Sequence, residues 1–304
     1  MKAFIPLEIT DDRFVSSTID EPSPNELAWD DTVAYKEFDQ VSVITANSHL
    51  VYESLTSNTD KPPADSPNDW ILRGKTNRFR MFDMNQGNPS IGTSPMVVVI
   101  RPGQVINALA IELKATLMDI TVTDGIGGKV VYTIDGYLLD RHVTTYYQYF
   151  FAPFVYNKIV SSFSIPPVKD PVITMRLEDP SGTVEVSRFA VGNSIHLGAT
   201  ENQNPTVDSD NYSKIEWDEF GKSTLTPVPS IPTTDQKIFL KSSRLNLIRQ
   251  FREDSNATAA FWSALDDKKH DYAESLAIFG VYRNFQIDLT DPNIPVINLS
   301  LKGI

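Results

Sequence analysis

The chain has 304 residues, a formal net charge of −12 and no cysteine. Its 41 % hydrophobic content suits folded modules, and its length exceeds what one small core needs. The acidic balance disfavours a nucleic-acid partner, and the missing thiols exclude disulfides, Cys-based zinc sites and thiol nucleophiles together.

The N-terminal residues Met1-Lys2-Ala3-Phe4-Ile5-Pro6 contain no long apolar core, so no secretory signal is expected. Trp29, Tyr35, Phe38, Tyr52 and Trp70 then frame an aromatic region. Such rings serve either as a stacking platform for sugars or as the core of a module too small to bury much else. Thr56 to Asn68 is rich in Ser, Thr, Asn, Asp and Pro and reads as a surface connection. Next comes a basic cluster, Arg73, Lys75, Arg78 and Arg80. In an acidic chain these cations read as ion-pair partners or a solvated face rather than an anion site.

Strand signals dominate from there on. Met96–Ile100 is the longest continuous apolar run and is strand-sized, far short of the roughly 18–20 residues of a membrane helix. Residues two apart alternate at Leu109, Ile111 and Leu113, at Val130, Tyr132 and Ile134, and at Ile173, Met175 and Leu177. The same spacing returns at Phe285, Ile287 and Leu289 and at Ile297, Leu299 and Leu301. Turn residues such as Arg101-Pro102-Gly103, Asp124-Gly125 and Asp179-Pro180-Ser181-Gly182 fall between strands. The aromatic run of Tyr146, Tyr147, Tyr149, Phe150, Phe151 and Phe154 predicts a strand covered on both faces, with an exposed docking patch as the other reading.

Thr200 to Asn211 is Asn- and Asp-rich and reads as a second surface connection, and Pro227, Pro229 and Pro232 mark an extended arm or irregular edge. One segment has helical spacing: Leu245, Leu247, Ile248 and Phe251 share a face over Ser243 to Glu253. Ser242 or Ser243 is its expected N-cap, and Arg249 and Arg252 suit its last turns.

Chemistry-bearing motifs are sparse. Gly221-Lys222-Ser223-Thr224 resembles the end of a phosphate-binding loop, but Glu216 stands where the first glycine is required, so a hairpin turn at Gly221 is expected. His49, His142, His196 and His270 lack metal-ligand spacing, and no Gly-x-Ser-x-Gly elbow occurs. Asp208 with Asp210, and Glu216 with Asp218 and Glu219, are read as solvated carboxylates rather than an acid–base pair. No catalytic residue, metal ligand or cofactor is assigned.

Two resemblances add to this. Trp29 through Val41, then Val51-Tyr52 and Asp69-Trp70, resemble the small β-modules appended to chitinases, with Phe38-Asp39 standing where those modules have Gly-Asp. Trp70 through Asp83, with its Gly74-Lys75-Thr76-Asn77-Arg78-Phe79 centre, is similar to a signature of phage virion proteins encoded among tail genes. Tyr149 to Phe154, Leu197 to Thr200, Tyr212 to Gly221 and Phe279 to Ile287 have counterparts in that family, as does Leu299 to Gly303. In this sequence Arg73 and Trp217 depart from its usual residues.

The expectation is therefore a mainly β chain. Residues 1–69 form an N-terminal strand and small aromatic β-module. Residues 70–196 form a jelly-roll, galactose-binding-like β-sandwich, and residues 197–304 a C-terminal β-sheet with one helix. The family resemblance implies a non-enzymatic structural component of a phage tail, in a tail-tip, collar or fibre-attachment position, assembled in the host cytoplasm. Implied partners are other tail proteins and further copies in a ring, without nucleic acid or membrane insertion. Trp217 and Trp262 are candidate interface anchors. The rival expectation is a receptor-binding protein, with host surface polysaccharide contacted by Trp29, Tyr35, Tyr52 or Trp70.

Overall fold

A computed structural model describes residues 1–84, 88–140, 145–151, 155–156, 158–201, 206–217, 219–264, 276–291 and 294–304. His142, Phe154, Pro205, Asp218 and His270 lie outside the described residues. The protein is mainly β, as the alternating pattern predicts. It divides into two compact units, Leu7–Val191 and a second made of Met1–Pro6 with Gly192–Ile304. The first six residues thus complete a unit otherwise supplied by the end of the chain, a pairing that no local signal announces.

In Leu7–Val191 two antiparallel sheets share one core. The five-stranded sheet runs in the order Val130–Tyr137, Leu117–Asp124, Pro171–Glu178, Met96–Ile100, Phe14–Ser17. The four-stranded sheet runs Ile159–Ser162, Ala108–Lys114, Thr183–Gly192, Ser90–Thr93. Met96, Val98 and Ile100 point inward, as do Ile173, Met175 and Leu177, and meet Leu109, Ile111, Val184 and Val186 in a single apolar cluster. Period-two alternation thus builds a β-sandwich core. Arg188, inside the four-stranded sheet, is buried and paired to Glu112 at 3.1 Å.

The same unit carries a smaller sheet, ordered Leu27–Ala28, Gln40–Thr45, Ser48–Ser54, Trp70–Lys75. Beside it Ala34–Tyr35 pairs with Asn58–Thr59. The turn before Gln40 places Phe38 at φ 73°, the left-handed conformation that a glycine accepts without cost. Its N–H donates to the Ser54 carbonyl (2.8 Å), and the ring stays 70 % exposed.

The other unit is an antiparallel sheet ordered Ile195–His196, Lys2–Phe4, Ala260–Ser263, Ala277–Asp288, Val296–Gly303, Ile231–Phe239, Ala199–Thr200, with Thr206–Asp210 also paired to Ile231–Phe239. The amphipathic helix is present as Leu245–Asp254. Ile248 and Phe251 are buried against Trp262, while Leu247 stays exposed. Neither serine caps it: Ser242–Arg244 forms a 3-10 turn without a side-chain cap bond. Closing the helix, Ser255 Oγ donates to the Phe251 carbonyl at 2.7 Å.

Two expected elements are corrected. Thr206–Asp210, read as part of a surface connection, is a strand paired to Ile231–Phe239. Tyr146–Phe151 is a short helix, not a strand covered on both faces, and none of its residues is buried. A local device overrides the alternation. Thr145 Oγ1 accepts the Gln148 N–H (3.2 Å), and Gln148 Oε1 accepts the Thr145 N–H (3.1 Å), a reciprocal capping box. Thr-x-x-Gln was legible in the sequence as a helix start.

Candidate functional site

Of the two readings of the aromatic frame, the structure has the core. Trp70 is 2 % exposed and Tyr35 is buried, their rings 5.2 Å apart and edge-on. Val41 completes the cluster, and Trp29 and Tyr52 pack on it half-buried. Trp70 Nε1 donates to the Lys61 carbonyl (3.0 Å), and the Tyr35 hydroxyl accepts the Asp30 N–H (2.8 Å). The polar edges of Trp70 and Tyr35 are thus engaged within the chain, while the buried Trp29 Nε1 has no hydrogen-bond partner among the described residues, and the four rings do not form an exposed line.

The three arginines of the basic cluster are drawn into ion pairs. Arg73 meets Glu53 through Nε at 3.1 Å and Nη2 at 2.6 Å, with Gln40 donating to the same carboxylate. These hydrogen bonds hold Glu53 below the usual carboxylate range and Arg73 above its own. Arg80 pairs with the buried Glu26, which also accepts the Asn77 N–H at 3.1 Å. Arg78 pairs with Glu21 at 3.4 Å and donates to the Ile19 carbonyl. Glu26, Glu53, Arg73, Asn77, Arg80 and Asn88 line a polar cleft of roughly 660 Å³.

Sequence reasoning missed the clasp beside it. His49 Nδ1 lies 2.9 Å from Glu21 and Nε2 lies 2.7 Å from Asp11, while its ring stacks on Phe79 with 3.8 Å between centroids. Asp11 sits below its usual pKa, chiefly because it accepts the Asn47 N–H, with His49 adding to the effect. Glu21 also accepts the Thr76 hydroxyl. The conspicuous Thr76-Asn77-Arg78 motif is therefore a knot: Thr76 and Arg78 hold Glu21, and Asn77 holds Glu26 and the backbone of Ile91. Nothing in local spacing pairs residues so far apart.

The two assembly candidates separate. Trp262 is wholly buried, and its Nε1 donates to the Gly280 carbonyl at 3.0 Å, so it is a core residue and not an interface anchor. Trp217 is 69 % exposed. It lies on a two-stranded arm, Lys214–Trp217 paired with Ser223–Thr226, whose strand residues are all exposed. Ile215 stands opposite Leu225, and alternation puts Trp217 on the same face. Phe220 occupies the tip, 94 % exposed, next to Gly221 at φ 77°. The lysine-bearing loop is thus a hairpin turn. The arm's base is fixed: Asp210 pairs with Arg283 at 2.5 Å and Lys302 at 2.9 Å, and Lys302 also meets the Tyr212 hydroxyl. These cations hold Asp210 below its ordinary pKa, Lys302 contributing most. Asp208, on the same strand, accepts the Ser209 N–H at 2.7 Å.

Among the described residues no three His, Asp or Glu side chains converge to hold a metal ion, and no helix is long and apolar enough to cross a membrane. No protein-family model matches the chain, and no curated protein or solved structure is detectably similar to it.

Proposed function

We propose that this protein is a non-enzymatic structural component of a bacteriophage tail, a tail-tip, collar or fibre-attachment adaptor that docks other virion proteins. The observation carrying this reading is the arm, which offers Ile215, Trp217, Phe220 and Leu225 to solvent from a base locked by ion pairs. A soluble chain gains nothing from ordering such a face unless another surface covers it. The first strand and tip of the arm, through Gly221, also fall in one of the stretches that resemble the phage family, with Trp217 as a departure from its usual residue. Glycan recognition is the weaker reading, since the rings it required are engaged in a core. Mass spectrometry of purified particles from the phage that carries the gene tests the proposal. The chain is expected in the tail fraction, and its absence from particles overturns the reading.

A further inference from the structure

We infer that the arm pairs with the same arm of a second copy of this chain, strand Lys214–Trp217 against strand Lys214–Trp217, antiparallel about a two-fold axis. The inference rests on the reading of the arm as an assembly element and names its partner. Three observations carry it.

The first is an open edge. Among the described residues Lys214–Trp217 and Ser223–Thr226 form a sheet of two strands, so each keeps one side of its backbone hydrogen-bonding groups unpaired with another described strand. An exposed edge of this kind is a template for strand addition, and an isolated two-stranded ribbon gains stability from further strands.

The second is charge. On the polar face of the strand Lys214 and Glu216 lie two residues apart, and neither has an ion-pair partner among the described residues. Opposing the strand to itself with Ile215 facing Ile215 places Lys214 of each copy directly across from Glu216 of the other. Two complementary cross-strand pairs form at once. The register is self-complementary, which is what an isologous two-fold contact requires.

The third is the apolar face. In that register Trp217 reaches the partner's Ile215 diagonally, and Ile215, Trp217 and Leu225 of both arms become one continuous surface. Edge-to-edge pairing leaves that surface on one face of a four-stranded ribbon and confines burial to the seam between the two strands, so the pairing is weak and concentration-dependent.

The test is charge reversal in the full chain, read by sedimentation velocity at roughly 100 µM. Wild type is expected to show reversible dimers. Lys214→Glu alone sets acidic side chains opposite one another, Glu216→Lys alone sets basic ones opposite, and each is expected to weaken association by about tenfold. The double variant restores opposite charges and recovers dimers. An equimolar mixture of the two single variants forms mixed dimers more strongly than either alone. Circular dichroism checks that the variants fold. A wild type that stays monomeric at this concentration overturns the pairing, and so does self-association indifferent to these charges. Incorporation of each variant into particles is measured in parallel. A chain that enters particles normally but never self-pairs overturns this inference while leaving the tail reading intact, whereas a chain absent from particles overturns the tail reading itself.

Discussion

Trp70 and Trp217 are the same residue in opposite circumstances. Trp70 closes a small sheet, meets Tyr35 edge-on and satisfies its indole N–H on the Lys61 carbonyl. Trp217 sits on a strand with a single neighbour among the described residues, and its ring is 69 % exposed. What separates them is strand count. The aromatic module pairs four strands and folds a loop over them, while the arm pairs two. An aromatic residue in a β-chain therefore supports the fold when strands and loops surround it, and is left available to a partner when they do not.

Replacement of both tryptophans breaks this comparison most directly. Trp70→Ala should cost about 3–5 kcal/mol in chemical denaturation, because a buried ring leaves a cavity. Trp217→Ala should change stability by no more than about 0.5 kcal/mol, as surface substitutions do. Equal losses would mean that the arm is buried in the folded protein. Glu26→Gln comes next. It leaves the guanidinium of Arg80 without its buried counter-charge and should cost about 3 kcal/mol, measured by urea unfolding. A neutral outcome would show that solvent compensates Arg80 freely.

Phe38→Gly should act in the other direction. The ring is exposed and its backbone is left-handed, so relief of about 1–2 kcal/mol of strain outweighs the roughly 0.5–1 kcal/mol by which glycine's flexibility favours the unfolded chain. A net stabilisation of about 0.5–1 kcal/mol in thermal unfolding is expected, and destabilisation would mean that the ring packs on something.

The smallest effect separates the units by pH. Glu53 and Asp69 in the aromatic module, and Asp210 at the base of the arm, are all depressed by cationic partners. A depressed carboxylate stabilises the folded state above its unfolded pKa, and that contribution is lost as pH falls through the folded value. Stability should therefore be flat from pH 7 to about 5 and decline below about 4. Asp210→Asn should flatten that decline for the arm-bearing unit, while Asp69→Asn should leave it unchanged there. Hydrogen exchange resolved by segment distinguishes the two.

The alternating strands at 173–177 and 297–301 and the helix at 245–254 were legible because each is written in a local period, two or 3.6, that burial merely follows. Leu289 shows the limit: it continues the spacing of Phe285 and Ile287, yet it lies beyond the strand end at Asp288 and is exposed. Trp262 and Trp217 were indistinguishable as letters, since burial depends on which strands arrive from elsewhere in the chain. The helix at 146–151 was written in the Thr145-x-x-Gln148 box, a signal outweighed by the density of aromatic residues around it.

The sequence by itself determined that the chain is built of strands, that its core alternates inward and that one amphipathic helix follows residue 242. Tertiary structure alone decided that Met1–Pro6 joins the C-terminal unit, that Arg73, Arg78 and Arg80 each find a carboxylate, and that His49 is clasped between Asp11 and Glu21. The physical reason is range. Hydrophobic periodicity acts between residues a few positions apart, whereas strand order, ion pairing and the exposure of an arm are settled by segments that meet only when the whole chain has folded.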